Sequence, residues 1–102
     1  MESHVVKVPT SLGIETRAPF RRQALAALED LRDAGGVREL VIDLSATRAV
    51  DSAGLGVLVL VQRRAAEVRA SVRLVGASEE VRYLLVMTRL DDRFIIDSTP
   101  PS

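Results

Sequence analysis

"VLVLVQRRAAEVRA", residues 57–70, is the stretch on which the fold turns. Its first five residues carry no polar side-chain atom and would suit a buried strand, whereas "QRRAAEVRA" is built from good helix formers. Taken as a helix, the segment reaches back to Ser52 and on to Arg69. That length suits a crossover between two parallel strands, and a helix over Ser52–Arg69 is the expectation.

The flanks fit such a unit. "ELVIDL" (residues 39–44) and "SVRLVG" (residues 71–76) are short runs rich in branched aliphatic residues, expected as strands buried on both faces. Further out, "HVVKV" (residues 4–8) ends at Pro9 as a strand entering a loop does, and "FII" (residues 94–96) predicts a last short strand. From Pro19 to Ala34, Phe20, Ala24, Leu28 and Leu31 recur at helical spacing before Gly35 and Gly36 supply a stop. "SEEVRYLLVMTRL" (residues 78–90) opens with Ser78 as an N-cap and puts Val81, Leu84, Leu85 and Thr88 on one face. Strands and helices alternate, which predicts an α/β fold: a small mixed sheet of about four strands with helices packed against it. One domain is expected over residues 1–97, followed by a flexible C-terminal tail at 98–102, "STPPS".

Composition narrows the function. Fourteen basic residues balance fourteen acidic ones, and 3% aromatic content leaves little for bases to stack on, so no nucleic-acid partner is expected. The absence of cysteine removes disulfides and thiolate chemistry. The longest strictly apolar run, Val57 to Val61, is far short of the ~20 residues that span a bilayer, so a cytoplasmic protein with no direct membrane insertion is expected.

Catalytic equipment is sparse. His4 is the sole histidine. "VDSAG" (residues 50–54) resembles the back half of a nucleophile elbow, but Val50 stands where the first glycine belongs and a triad would have to recruit His4. "GLG" (residues 54–56) lacks the third glycine of a dinucleotide fingerprint and the lysine of a P-loop. Asp91-Asp92 and Glu79-Glu80 read as solvated charges, the glutamates favouring a helix N-terminus. No enzyme, cofactor or metal site is expected.

What remains is Asp51 and Ser52. Either can cap a helix by accepting a backbone N–H, worth ~1 kcal/mol. Gly54 and Gly56 follow in the first turns, where each costs ~1 kcal/mol against alanine, so close approach by a neighbour or partner is expected there. The apolar run also wraps around the helix. Leu55, Leu58 and Val59 can face the sheet, while Val57 and Val61 fall partly on the other side, the mark of deep burial or of a surface offered to a partner.

Residues 40–94 resemble the STAS domain of bacterial anti-sigma factor antagonists. The likeness lies in "DLS" (43–45), "DSAGLG" (51–56), "RLV" (73–75) and "VRYLLVMTRLDDRF" (81–94), with "APFRRQAL" (18–25) resembling the family's first helix. The resemblance implies that Ser52 is the phosphoacceptor for a partner that is both serine kinase and anti-sigma factor. Unphosphorylated, such a domain binds that partner and frees the sigma factor. Phosphorylation releases it, and a serine phosphatase resets the switch. The implied partner surface is Asp51, Ser52, Ala53, Gly54, Leu55, Gly56, Val57 and Val61. "SLGIE" (11–15) is a shortened counterpart of the family's "GELD"-like loop, with Glu15 in place of its acidic residue, and only one of two N-terminal strands is evident. An exposed sheet edge would leave homodimer formation open. Arg89 occupies the place of the glycine that commonly ends the last helix, so a different cap is expected. Two other employments compete: a non-switching STAS scaffold, such as a subunit of a phospholipid-transport ABC complex or of a larger signalling assembly, and a small hydrolase using Ser52.

Overall fold

The five apolar residues at 57–61 are helical in the structure, a computed structural model that describes residues 2–97. The tail expected at 98–102 lies outside the described residues. In chain order the elements are β1 (Glu2–Lys7), β2 (Ser11–Leu12), α1 (Arg17–Ala34), β3 (Arg38–Asp43), β4 (Ala49–Val50), α2 (Ser52–Glu67), β5 (Ala70–Val75), α3 (Glu79–Met87), a 3-10 turn (Asp91–Arg93) and β6 (Ile95–Ile96). Four strands form the main sheet in the order β1-β3-β5-β6, and β2 pairs with β4 in a separate two-stranded ribbon.

Every pairing in the main sheet is parallel, which corrects the mixed sheet expected from sequence. A helix joins each strand to the next and carries the chain back to the same end. The three crossovers step the same way across the sheet, and the right-handed sense that nearly all such units share deposits their helices on one face.

That topology explains a second correction. The central strands are buried on one face only: Leu40, Ile42, Val72 and Leu74 lie in the core, in register with Val6, while Glu39, Val41, Arg73 and Val75 are half-exposed on the opposite face. That face also carries Val5, 61% exposed, and an ion pair between Arg73 and Glu39 at 3.2 Å. A parallel sheet usually has both faces covered and reads as continuously apolar. Here the alternation of β5, with Ser71 and Arg73 between core residues, records the open face.

The helices follow their sequence signals. α1 buries Phe20, Ala24, Ala27, Leu28 and Leu31, starting two residues before Pro19 and ending at Gly35. α3 starts after Ser78, whose hydroxyl accepts from the Val81 N–H at 3.2 Å. Val81 and Leu85 join the same core cluster as α1, α2 and the sheet. Leu84 is half-buried and Thr88 exposed, so the expected face of α3 is narrower than predicted. Its exposed side carries Tyr83, Val86 and Met87, making α3 rather than α2 the helix with outward apolar residues.

The end of α3 overturns one expectation. Arg89 adopts a left-handed conformation (φ 59°), the Leu90 N–H donates to the Leu85 carbonyl at 2.8 Å, and the Arg89 N–H donates to the Val86 carbonyl at 3.0 Å. Those two bonds are the Schellman closure that a glycine would ordinarily make. The arginine takes the glycine's conformation, and the Thr88 hydroxyl adds a bond to the Leu84 carbonyl at 2.7 Å.

Candidate functional site

The site is assembled where α2 begins. Asp51, the residue before the helix, is the N-cap: its Oδ1 accepts from the Gly54 N–H at 2.9 Å, and its carbonyl accepts the first helical bond, from the Leu55 N–H, at 2.9 Å. This settles which of the two candidates caps. Ser52 is the first helical residue, exposed, and its hydroxyl makes no hydrogen bond among the described residues.

The loop before α1 holds this helix start in place. β2 and β4 lie parallel, Leu12 opposite Val50, and the Leu12 carbonyl accepts from the Asp51 N–H at 3.1 Å. The same carbonyl lies over Gly54, where a Cβ would collide with it, so the close neighbour required by Gly54 is this chain's own backbone. A Cβ on Gly13 would likewise strike the Asp51 carboxylate. Thr16 ties the loop together, its hydroxyl donating to the Ser11 carbonyl and accepting from the Gly13 N–H, each at 2.9 Å. "SLGIE" is therefore a structural clamp on α2. At its tip Glu15 and Ile14 are exposed, and together with Asp51 they line a hollow of about 250 Å³.

Burial divides the eight residues expected to meet a partner. Asp51, Ser52 and Gly56 are exposed and Ala53 and Leu55 half-buried, but Gly54 is interior. Val57 and Val61 are 6% and 0% exposed, because α2 packs against both α1 and β5. The wrapped apolar run thus reflects deep burial, and Val57 and Val61 belong to the core rather than to a docking surface. Gly56 differs from Gly54, since a Cβ there meets nothing within 4 Å.

Beside Ser52 runs a cleft of about 590 Å³ between the first turns of α1 and α2, walled by Arg17 and Arg21 on one side and by Ser52, Gly56, Val57 and Leu60 on the other. Sequence reading did not assign Arg17 and Arg21 to the site. Arg21 lies on the helix expected from Pro19 onward and Arg17 before it, and only the extension of α1 back to Arg17 and its packing on α2 bring both to the serine.

Further along the sheet's end, hydrogen bonding to the Ser45 hydroxyl, then to the Ser45 N–H, with Lys7 nearby, holds Asp43 below the usual 3.8. Asp43 lines neither hollow and belongs to the turn after β3. Among the described residues no cluster of three or more His, Cys, Asp or Glu could hold a metal ion, and no helix is long and apolar enough to cross a membrane.

Comparison with solved structures supports this arrangement as a known fold. A candidate anti-sigma factor antagonist from Thermotoga maritima superposes with a TM-score of 0.73 at 27% identity, over 93% of this chain and 80% of that one. The anti-sigma factor antagonist SpoIIAA in its unphosphorylated form gives 0.74 at 18% identity, over 95% and 81%. A sulfate transporter family protein from Wolinella succinogenes gives 0.70 at 10% identity, over 92% and 75%. The last two likenesses bear on the fold alone. A search of the curated proteins finds no match. A family profile described as "Mlab, STAS domain" matches residues 1–97, nearly the whole chain, and by that match the protein belongs to the STAS domain family.

Proposed function

We propose that the protein is an anti-sigma factor antagonist switched at Ser52. Unphosphorylated, it binds an anti-sigma factor that is also a serine kinase. The kinase transfers the γ-phosphoryl group of ATP to the Ser52 Oγ, ADP leaves, and the hydroxyl proton passes to the kinase; the complex then separates until a serine phosphatase removes the phosphate. The observation that carries this reading is the Ser52 hydroxyl itself: exposed at the first turn of α2 and left uncommitted because Asp51 performs the capping. A serine needed only as a cap would be engaged. Likeness to the Thermotoga maritima protein at 27% identity supports the same reading.

The switch needs no refolding. Phosphorylation adds about −1.5 to −2 charges beside the exposed Asp51 carboxylate. With Gly54, Val57 and Val61 in the interior, the contact surface is Asp51, Ser52, Ala53, Leu55 and Gly56, with the Ile14–Glu15 tip beside it. Desolvating such a group against a partner built for a neutral serine costs several kcal/mol, and each ~1.4 kcal/mol is tenfold in affinity.

The test is a pull-down from source-cell extract with wild-type protein and with Ser52→Asp, both checked for folding by circular dichroism. Recovery of an ATP-binding kinase at least tenfold better by wild type, with phosphate on Ser52, is the expected outcome. The matching family is described by its STAS domain and not as an antagonist, and the second reading is a non-switching STAS subunit of a transport complex. Equal recovery of transporter subunits by both baits, with Ser52 unmodified, would establish that reading and overturn the first.

A further inference from the structure

We propose that Arg17 and Arg21 form a receiving site for the phosphoryl group on Ser52, holding it within the cleft between α1 and α2; the inference rests on the reading of Ser52 as a phosphoacceptor. Three independent features of the cleft converge on an anionic occupant. Its charged lining residues are both arginines, and no acidic residue lines it. The two guanidinium groups are committed elsewhere to nothing: the ion pairs among the described residues are Arg32–Asp33 and Arg73–Glu39, and neither Arg17 nor Arg21 makes a side-chain hydrogen bond. Arg21 follows Arg17 by four residues, so the two stand one above the other on a single face of α1.

The placement of Arg17 is costly without such an occupant. It is the first residue of α1, and the first turn contains no acid to offset it, so a cation sits at the positive end of the helix dipole. Gly56 adds to these. It weakens α2 without relieving any clash, for a Cβ there would point into open space, and it lines the cleft. A phosphoserine side chain turning from the first turn of α2 towards α1 enters this space and meets both arginines.

Charge-assisted contact with guanidinium favours the dianion of a phosphate monoester over the monoanion. The experiment installs phosphoserine at position 52 of the full chain by genetic encoding and follows its phosphorus-31 resonance against pH. Because the phosphate is placed without a kinase, the result is independent of whether the partner switch exists, and the pull-down tests that separately. The second ionisation of a free phosphoserine lies at about 6. The Asp51 carboxylate and the α2 N-terminus act on the phosphate alike in every variant, so the wild-type midpoint is expected on the order of half a pH unit or more below that of Arg17→Gln/Arg21→Gln. Arg22→Gln, on the same helix but outside the cleft lining, is expected to leave the wild-type midpoint in place. Identical midpoints in wild type and the double variant would overturn the proposal. So would an Arg22→Gln shift as large as that of the double variant, which would show a general field effect instead of a receiving site.

Discussion

Gly54 and Gly56 lie two residues apart in the first turns of α2 and serve different ends. Gly54 has the Leu12 carbonyl against its Cα, so a methyl group must push the clamp loop away. Gly56 borders empty space. Gly54→Ala is accordingly expected to destabilise the protein by about 1–3 kcal/mol through overpacking, even after its gain in helix propensity. Gly56→Ala is expected to stabilise it by about 0.5–1 kcal/mol. Urea unfolding of the two variants checks both signs, and stabilisation by Gly54→Ala would mean that the loop does not press on the helix. At this scale the sequence yields the motif and hides its partners. Asp51 and Ser52 stand out by residue type and position, and two glycines in a helix start demand a reason. That the reason for one is Leu12, just over forty positions upstream, depends on a ribbon of two-residue strands too short to show a periodicity. Arg17 and Arg21 are hidden in the same way.

Both α2 and α3 are followed by an arginine in the left-handed region, Arg69 at φ 58° and Arg89 at φ 59°, and α3 carries the full Schellman closure. Arg89 at φ 59° closes the helix at a cost that a glycine would not incur, and a non-glycine residue in that region gives up about 1–2 kcal/mol. Since glycine also loses more chain entropy on folding, Arg89→Gly is expected to stabilise the protein by no more than about 1 kcal/mol, measurable as a rise in the urea midpoint at unchanged slope. A fall would show that the arginine side chain makes contacts worth more than its backbone strain. Three helix ends were readable because their chemistry is local: Ser78 before Glu79, Asp51 before Ser52, Gly35 after Ala34. The identity of α2 was legible only from its flank. "VLVLV" alone has the look of a strand, and the alanine- and arginine-rich continuation decides the matter.

For the whole molecule, the alternation of strands and helices predicts the α/β architecture and the four main strands, while strand direction and the covering of the sheet follow from topology. Three helical crossovers stepping one way make the sheet parallel and leave one face with Val5, Val41 and Val75 interleaved with Glu39 and Arg73. This mixed row is the trace of a half-wet surface, and the aliphatic richness of "ELVIDL" conceals it.

The open face has a thermal consequence. Heat capacity of unfolding scales with the apolar area removed from water, at about 12–15 cal/mol/K per residue in ordinary domains, or about 1.2–1.5 kcal/mol/K for a chain of 102 residues. A sheet covered on one side buries less than that average, so scanning calorimetry is expected to return a value at or below the lower bound; a value at the upper bound would mean that the second face is covered in solution, as by another copy of the chain. A small heat capacity flattens the dependence of stability on temperature. A protein built this way keeps nearly the same folded fraction as its surroundings warm or cool, so that, under the proposed switch, the state of Ser52 and not the temperature would set how much of it is free to bind.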